Sequence, residues 1–299
     1  MKLSACIKSR RLRTLPLSLA GVVLGVFLAF ASEGLHPSLP TVCFLLLTTV
    51  LLQILSNLSN ELGDTLSGTD RDDREGIRYS LQDGDLSIPE MKRLIASVAA
   101  ACCLSGLAMV FASFGKVFAV EPLSLLALGA AAIWAAMHYT LGKNPYGYRG
   151  LGDVFVFLFF GLVSVGGAFY VCTHSFQALV LLPAGAIGCF SVGVLNLNNI
   201  RDMRSDAATR VTVAMKMGPR RARIYQTVLL SLGWALMLAF TALTATSWTS
   251  WLYVLALPLY ALHLKGVWTR QDRALDPMLP LLVLSTFLLS LVAGIGMVC

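Results

Sequence analysis

The sequence has 299 residues, of which 57% are apolar and 13% charged, against about 45–50% and about 25% in an ordinary soluble domain. A mean hydropathy of +0.74 agrees, and together these values exclude an ordinary soluble domain in favour of one helical membrane domain over residues 1–299. Seven cysteines (Cys6, Cys43, Cys102, Cys103, Cys172, Cys189 and Cys299) show no CxxC spacing, which excludes a zinc ribbon and gives no disulfide framework.

A spanning helix needs about 20 mostly apolar residues. Taken in chain order, the sequence offers nine such runs, near 14–31, 39–58, 94–114, 122–140, 151–172, 176–197, 224–245, 248–264 and 278–298. The expected fold class is therefore all-α, a polytopic bundle of about nine transmembrane helices. Basic residues from Lys8 to Arg13, an apolar stretch and Ala29-Phe30-Ala31 imitate a signal peptide. The run is longer than a usual signal core and the charge alternation needs it, so it is expected to be kept as the first span.

Loop charge tests the count independently. With the N-terminus in the cytoplasm, only Lys116 of the 23 lysines and arginines falls on the outer side. The others lie in the N-terminal tail, in 57–93, 141–150, 199–223 and 265–277. The net charge of +7 and pI near 9.2 then read as orientation and contact with anionic lipid heads, with no nucleic acid as partner. The four histidines, His36, His138, His174 and His263, are scattered and read as structural or interfacial.

The chemistry is expected on the inner face, where two stretches carry the same polar signature. The first is Asn60-Glu61-Leu62-Gly63-Asp64, followed by Asp70; the second is Asn198-Asn199-Ile200-Arg201-Asp202, followed by Asp206. Asn60 and Asp64 are spaced i, i+4, as are Asn198, Asp202 and Asp206, and residues at that spacing share one helix face. A carboxylate at bilayer depth costs on the order of 2.5–3.5 kcal/mol, a cost that is acceptable where the groups face a polar cavity or share divalent cations. Hard oxygen donors of this kind suit Mg²⁺, and matched clusters in two places suggest one site assembled from two halves. Asp72, Asp73, Glu75, Asp83 and Asp85 read instead as ordinary solvated acids.

Cations are available beside these acids. Lys143 lies in the short inner loop 141–150, Arg201 within the second motif, and Arg71 directly after Asp70. These three are the candidate diphosphate contacts. Mg²⁺ and diphosphate at a membrane surface suggest a lipid diphosphate as substrate, its tail among the helices. Departure of diphosphate from an allylic carbon leaves a carbocation that aromatic faces stabilise. Tyr139, one turn before Lys143, and Tyr146 are the aromatic candidates, Tyr148 and Phe155 to Phe160 the wider group.

At these residues a resemblance becomes specific. Arg11-Leu-Arg-Thr-Leu-Pro16, Asn60 to Asp64 with Gly68-Thr-Asp70, Tyr146-Gly-Tyr-Arg-Gly-Leu-Gly-Asp-Val-Phe-Val-Phe157, and Asn198 to Asp202 with Asp206 resemble the UbiA superfamily of intramembrane prenyltransferases. The most similar text is that of the branch acting on 1,4-dihydroxy-2-naphthoate in menaquinone synthesis. The resemblance implies a bacterial cytoplasmic (inner) membrane protein with its active site facing the cytoplasm. It implies transfer of a polyprenyl group from polyprenyl diphosphate to 1,4-dihydroxy-2-naphthoate with loss of CO₂ and diphosphate, giving a demethylmenaquinone. Asn60, Asp64, Asp70, Asn198, Asp202 and Asp206 would hold Mg²⁺. Lys143 would contact diphosphate, and Arg13 the naphthoate carboxylate. Asp64, Asp202, Asp206, Lys143 and Tyr139 would then be the catalytic set.

The chain departs from that pattern in two places. Glu61 stands where aspartate is commoner, and Ala207-Ala208-Thr209-Arg210 replaces a usual Gly-Lys pair. Two other readings remain open on the sequence: another acceptor within the superfamily (4-hydroxybenzoate, or a haem or chlorophyll precursor), and a secondary transporter built from repeats. Prenyl chain length, oligomeric state and a lid role for residues 71–90 are not legible in the sequence.

Overall fold

A computed structural model describes residues 9, 11–32, 37–68, 79–204 and 210–299, and every regular element among them is helical. The principal helices are α1 (Leu15–Ala31), α2 (Leu39–Leu66), α3 (Ile88–Phe114), α4 (Val120–His138), α5 (Gly152–Thr173), α6 (Leu181–Arg201), α7 (Val213–Thr244), α8 (Leu257–Thr269) and α9 (Met278–Val298). Each falls on one of the apolar runs read from the sequence. Seven of them, α2 to α7 and α9, are long and apolar enough to cross a membrane. Helix α1 has 17 residues and α8 only 13, the latter continuing a 3₁₀ segment, Trp248–Ala256.

The helix ends differ from the apolar runs for a local reason. Helix α3 begins at Ile88, earlier than position 94, because Ser87 and Glu90 form a reciprocal capping box with Pro89 in the first turn. Its other end is closed by Gly115 in the left-handed conformation. Helix α2 runs on to Leu66 through the polar motif, so an apolar count ending near 58 misses its last two turns. Helix α7 starts at Val213 but is broken at Gly218 (φ 77°), directly before Pro219. The segments between spans are correspondingly shorter than the 57–93 and 199–223 read from the sequence.

The chain divides into two compact units. The first comprises the described parts of Met1–Leu15, Cys43–Gly152 and Arg204–Thr212. Its core joins Ile54, Leu55, Leu58 and Leu62 of α2 to Met91, Ile95 and Cys102 of α3, with Leu86 ahead of that helix. Thr48 and Ser105 share a hydrogen bond of 2.6 Å between the same two helices. The side-chain amides of Gln53 and Asn57 donate to Thr14 Oγ1 at 3.1 and 3.0 Å. They hold the segment before α1 against α2, one turn ahead of the first motif.

The second unit comprises Pro16–Val42, Asp153–Met203 and Val213–Cys299. Its core is aromatic: Phe190 of α6 lies 4.9 Å from Tyr260 of α8, which meets Trp234 of α7 edge to face at 5.2 Å. A buried polar chain ties four helices together. His263 Nδ1 donates to the Met278 carbonyl at 3.0 Å, leaving Nε2 to accept from Gln226 at 3.1 Å. Gln226 Oε1 in turn accepts from Asn196 at 2.8 Å. His263 is therefore structural, as its isolation in the sequence suggests. Helix α5 widens to π geometry over Phe157–Gly167, and within that stretch Gly161 packs directly on α6.

A Cβ on Gly161 would stand 2.6 Å from Gly188 Cα and 2.7 Å from the Ala184 carbonyl oxygen, both backbone atoms that cannot rotate away. Gly161→Leu is expected to destabilise the bundle by about 1–3 kcal/mol, read as a lower unfolding temperature in detergent. Gly166→Ala, where a Cβ meets nothing within 4 Å, should leave that temperature unchanged.

Candidate active site

The first motif occupies the last two turns of α2. Gly63 permits its placement: a Cβ there would fall 2.5 Å from Thr140 Oγ1 and 2.7 Å from the Thr140 carbonyl oxygen. With only hydrogen in between, Thr140 Oγ1 reaches the Ser59 carbonyl at 3.0 Å and Asn60 Oδ1 at 3.2 Å. Asn60 is thus oriented from outside its own helix.

Asp64 is 5% exposed, and the phenol of Tyr148 donates to its Oδ1 at 2.7 Å. Tyr148 belongs to the 3₁₀ turn Tyr146–Arg149 and also shares a hydrogen bond of 3.0 Å with Ser67. Val211 N–H donates to the Tyr148 carbonyl at 3.1 Å, and the Arg210 guanidinium lies 6.0 Å from its ring. Residues that follow the second motif in sequence therefore pack in the unit of the first. The sequence reading lists Tyr148 only as an aromatic; its role as donor to Asp64 has no signal in spacing.

Glu61, the departure from the commoner aspartate, is fully buried. Its Oε1 accepts from the Leu81 N–H at 2.9 Å, while Oε2 has no partner. The longer side chain fastens the turn beginning at Tyr79 to the motif helix. The N-terminal arginines grip the same turn: Arg13 Nη2 donates to Tyr79 Oη at 2.8 Å, and the Arg11 guanidinium stacks 3.8 Å from the Tyr79 ring centroid.

The other predicted contacts of this unit lie near one another. Tyr139 caps the end of α4, and its carbonyl accepts from the Gly147 N–H at 3.0 Å. Its ring meets that of Tyr146 edge to face at 5.4 Å. Tyr146 spends its phenol on the Ala135 carbonyl at 2.7 Å. Burial, with Tyr139 beside it, pushes the Tyr146 hydroxyl above its ordinary range. It remains a donor at physiological pH and offers an aromatic edge rather than a proton. Lys143 is exposed and has no hydrogen bond or ion pair with a described residue, leaving its amine available to an anion.

The second motif ends α6, with Asp202 as the C-cap. Here one guanidinium takes most of the oxygen donors. Arg201 Nε and Nη2 bind Asp202 Oδ1 and Oδ2, each at 2.7 Å, and Nη2 also donates to Asn198 Oδ1 at 2.6 Å. Nη1 reaches Asp276 Oδ1 at 2.9 Å. Asp276, ahead of α9, escapes the sequence reading because nothing in its basic surroundings distinguishes it from a solvated acid.

Asp70, Arg71 and Asp206 lie outside the described residues, as does 71–78 of the segment considered as a lid. Among the described residues no three His, Cys, Asp or Glu side chains gather as a metal-binding group. Two of the six expected ligands are those aspartates, and two more are carboxamides. The donor chemistry nevertheless fits a hard cation. In the second motif three oxygens already converge on one positive charge, and in the first, among the described residues, a buried carboxylate accepts from a phenol.

A family model described as the UbiA prenyltransferase family matches residues 18–291. The chain belongs to that family. An enzyme of Haemophilus influenzae named 1,4-dihydroxy-2-naphthoate octaprenyltransferase is 38% identical over 99% of this chain and 96% of its own. Among solved structures, a UbiA homologue from Aeropyrum pernix K1 superposes with a TM-score of 0.69 at 15% identity, covering 99% of this chain and 98% of that one. A UbiA homologue from Archaeoglobus fulgidus, bound to DMAPP and Mg²⁺, gives 0.59 at 15% identity over 96% and 99%. The superfamily read from four short motifs is thus the family of nearly the whole chain.

The reach of Glu61 is testable in this UbiA-family protein. Glu61→Gln keeps an oxygen for the Leu81 N–H and should unfold near the wild-type temperature. Glu61→Asp shortens the arm and leaves a buried donor unmatched, a loss of about 1–3 kcal/mol read in the same thermal assay.

Proposed function

We propose that this UbiA-family protein transfers a polyprenyl group from polyprenyl diphosphate to 1,4-dihydroxy-2-naphthoate, with loss of diphosphate and CO₂. The observation that carries the acceptor is the near full-length relative that bears that activity in its name. The geometry of the motifs supports the donor. The Archaeoglobus neighbour, with DMAPP and Mg²⁺ bound to the same fold, supports Mg²⁺ as the metal.

In this reading Asn60, Asp64 and Asp70 of the first motif and Asn198, Asp202 and Asp206 of the second hold Mg²⁺. When bound, the metal supplies charge neutralisation to the diphosphate, which makes it a better leaving group. Thr140 and Tyr148 orient Asn60 and Asp64, so those ligands need little rearrangement. The free ammonium of Lys143 takes diphosphate oxygens, joined by Arg71 and Arg201. The ring of Tyr139, held by its contact with Tyr146, faces the cation that develops on the allylic carbon.

Acceptor chemistry follows from electron bookkeeping. Diphosphate leaves with the bonding pair of its C–O bond, and the ring carbon bearing the carboxylate attacks the allylic cation to form the new C–C bond. Loss of the carboxylate as CO₂ returns its bonding pair to the ring and restores aromaticity. The product is a demethylmenaquinone in its reduced form, and no ring proton has to be removed. Arg13 meets the carboxylate, with one N–H on Tyr79 and the remainder of its fork for the acid. The charge distribution along the chain supports a multi-pass protein of the bacterial inner membrane, with this chemistry on the cytoplasmic face.

The test is product formation by purified protein given Mg²⁺, a polyprenyl diphosphate and 1,4-dihydroxy-2-naphthoate. Asp64→Ala and Asp202→Ala should each lower turnover by about a hundredfold or more, beyond the 10–100-fold typical of residues behind a metal ligand. Turnover with 4-hydroxybenzoate but not with the naphthoate would keep prenyl transfer and overturn the acceptor. Uptake of substrate into sealed vesicles without covalent change would overturn both.

A further inference from the structure

Arg201 is tied to more than its own motif. Its fork takes both oxygens of Asp202 and the side-chain oxygen of Asn198, while its remaining terminal nitrogen reaches across to Asp276. The first group is nearly buried, with Asp202 at 8% and Arg201 at 17% side-chain exposure, whereas Asp276 is 55% exposed. One guanidinium therefore bridges a buried set of oxygens and a solvent-facing carboxylate.

The placement of Asp276 is not an accident of a loose loop. Leu275 is fully buried and Met278 nearly so, and both pack in one cluster with Leu197 and Ile200 of α6. Those two residues flank Asn198 and precede Arg201 on the motif helix. The backbone N–H of Asp276 is bonded to the Arg273 carbonyl. The apolar residues on either side of Asp276 thus fix its carboxylate beside the end of α6.

The oxygens that Arg201 covers are those that the metal reading of the second motif requires. An Mg²⁺ ligand sits at about 2.0–2.1 Å in near-octahedral geometry, and a bidentate guanidinium occupies the same face of the carboxylate. A divalent ion and an arginine fork on the same two oxygens also repel one another. Arg201 has to release Asp202 for the metal to enter, and it already holds the carboxylate that can receive it.

We propose that Arg201 is an exchangeable counter-ion: it pairs with Asp202 and donates to Asn198 before the metal binds, and it releases both while keeping Asp276 when the metal enters. Asp276 is a positioning residue that acts through Arg201 and touches no substrate. This inference rests on the assignment of Asn198 and Asp202 as metal ligands. It adds a step to it, in which metal affinity is set by competition with a residue of the motif itself. The exchange keeps the buried Asp202 paired while the site is unloaded, and it delivers the guanidinium to the rim of the site once the metal is in place.

The experiment is binding of Mn²⁺ alone to the purified full-length protein in detergent, followed by electron paramagnetic resonance of the free ion, without any prenyl substrate. Arg201→Gln removes the competitor and should tighten Mn²⁺ binding by about fivefold or more, the lower end of an ordinary coupling between sites. Asp276→Asn, a change at an exposed side chain, removes the receiving carboxylate and should weaken binding by a similar factor. In the double variant Asp276→Asn should have no further effect, because its influence passes through Arg201. Unchanged or weaker binding in Arg201→Gln, unchanged binding in Asp276→Asn, or simple additivity would each overturn the exchange. Asp202→Ala separates this from the underlying reading: if it binds Mn²⁺ as well as wild type, the metal assignment fails and the exchange falls with it. If Asp202→Ala loses Mn²⁺ while Arg201→Gln does not tighten it, the assignment stands and only the exchange is wrong.

Discussion

Carboxylates at the ends of apolar helices must be matched by nearby donors, and that requirement organises both motifs. A charge carried to bilayer depth costs on the order of 2.5–3.5 kcal/mol even on lenient scales. The three buried acids of the motifs each meet it with a different donor: Asp64 a phenol, Glu61 a backbone amide, Asp202 a guanidinium fork. The Tyr146–Arg149 turn, the turn beginning at Tyr79 and the turn at Asp276 are each hydrogen-bonded to a motif helix.

Close backbone approach makes this matching possible. Thr140 reaches Ser59 and Asn60 only because Gly63 carries no side chain. Gly147 stands in a similar relation to Tyr139, since a Cβ there would come within 2.6 Å of the Tyr139 carbonyl oxygen. The glycines within and beside the motifs thus serve the acids indirectly, by letting loops approach near enough to donate. Counting carboxylates alone overlooks the groups that hold them.

The fold class was legible because lipid imposes a single rule, about 20 apolar residues per span, and nine such runs are plain in the text. Helix ends were not, because they obey capping and not hydropathy: Ser87 and Glu90 start α3 well before its apolar stretch begins. The motif residues Asn60, Asp64, Asn198 and Asp202 could be found by their spacing, since i, i+4 is a property of a single helix. The distant partners that complete the two clusters could not. Tyr148 is far from Asp64 in sequence, Asp276 far from Arg201, and such pairings exist only after the chain has folded. Glu61 was visible as an unusual residue, but the length of its arm acquires a meaning only when Leu81 is seen at its end.

Matching in sequence has also not produced matching in structure. Asn60 and Asn198 open their motifs identically, yet Asn60 accepts from a neutral threonine hydroxyl and Asn198 from an arginine. The phenol that donates to Asp64 carries no charge to set against the carboxylate. The charge of Asp202 is cancelled within its own motif by Arg201. Among the described residues, the first motif's Asp64 accepts from a neutral donor and the second motif's Asp202 is paired with a cation. The difference lies in residue 201 and its counterpart in the first motif, Gly63: an arginine where the other motif has the smallest side chain available. One motif leaves room for a neighbouring loop to orient its ligands, and the other supplies its own counter-charge. Two copies of the same polar signature thus satisfy their buried oxygens by different means, one through a neighbouring turn and the other through a charge of its own.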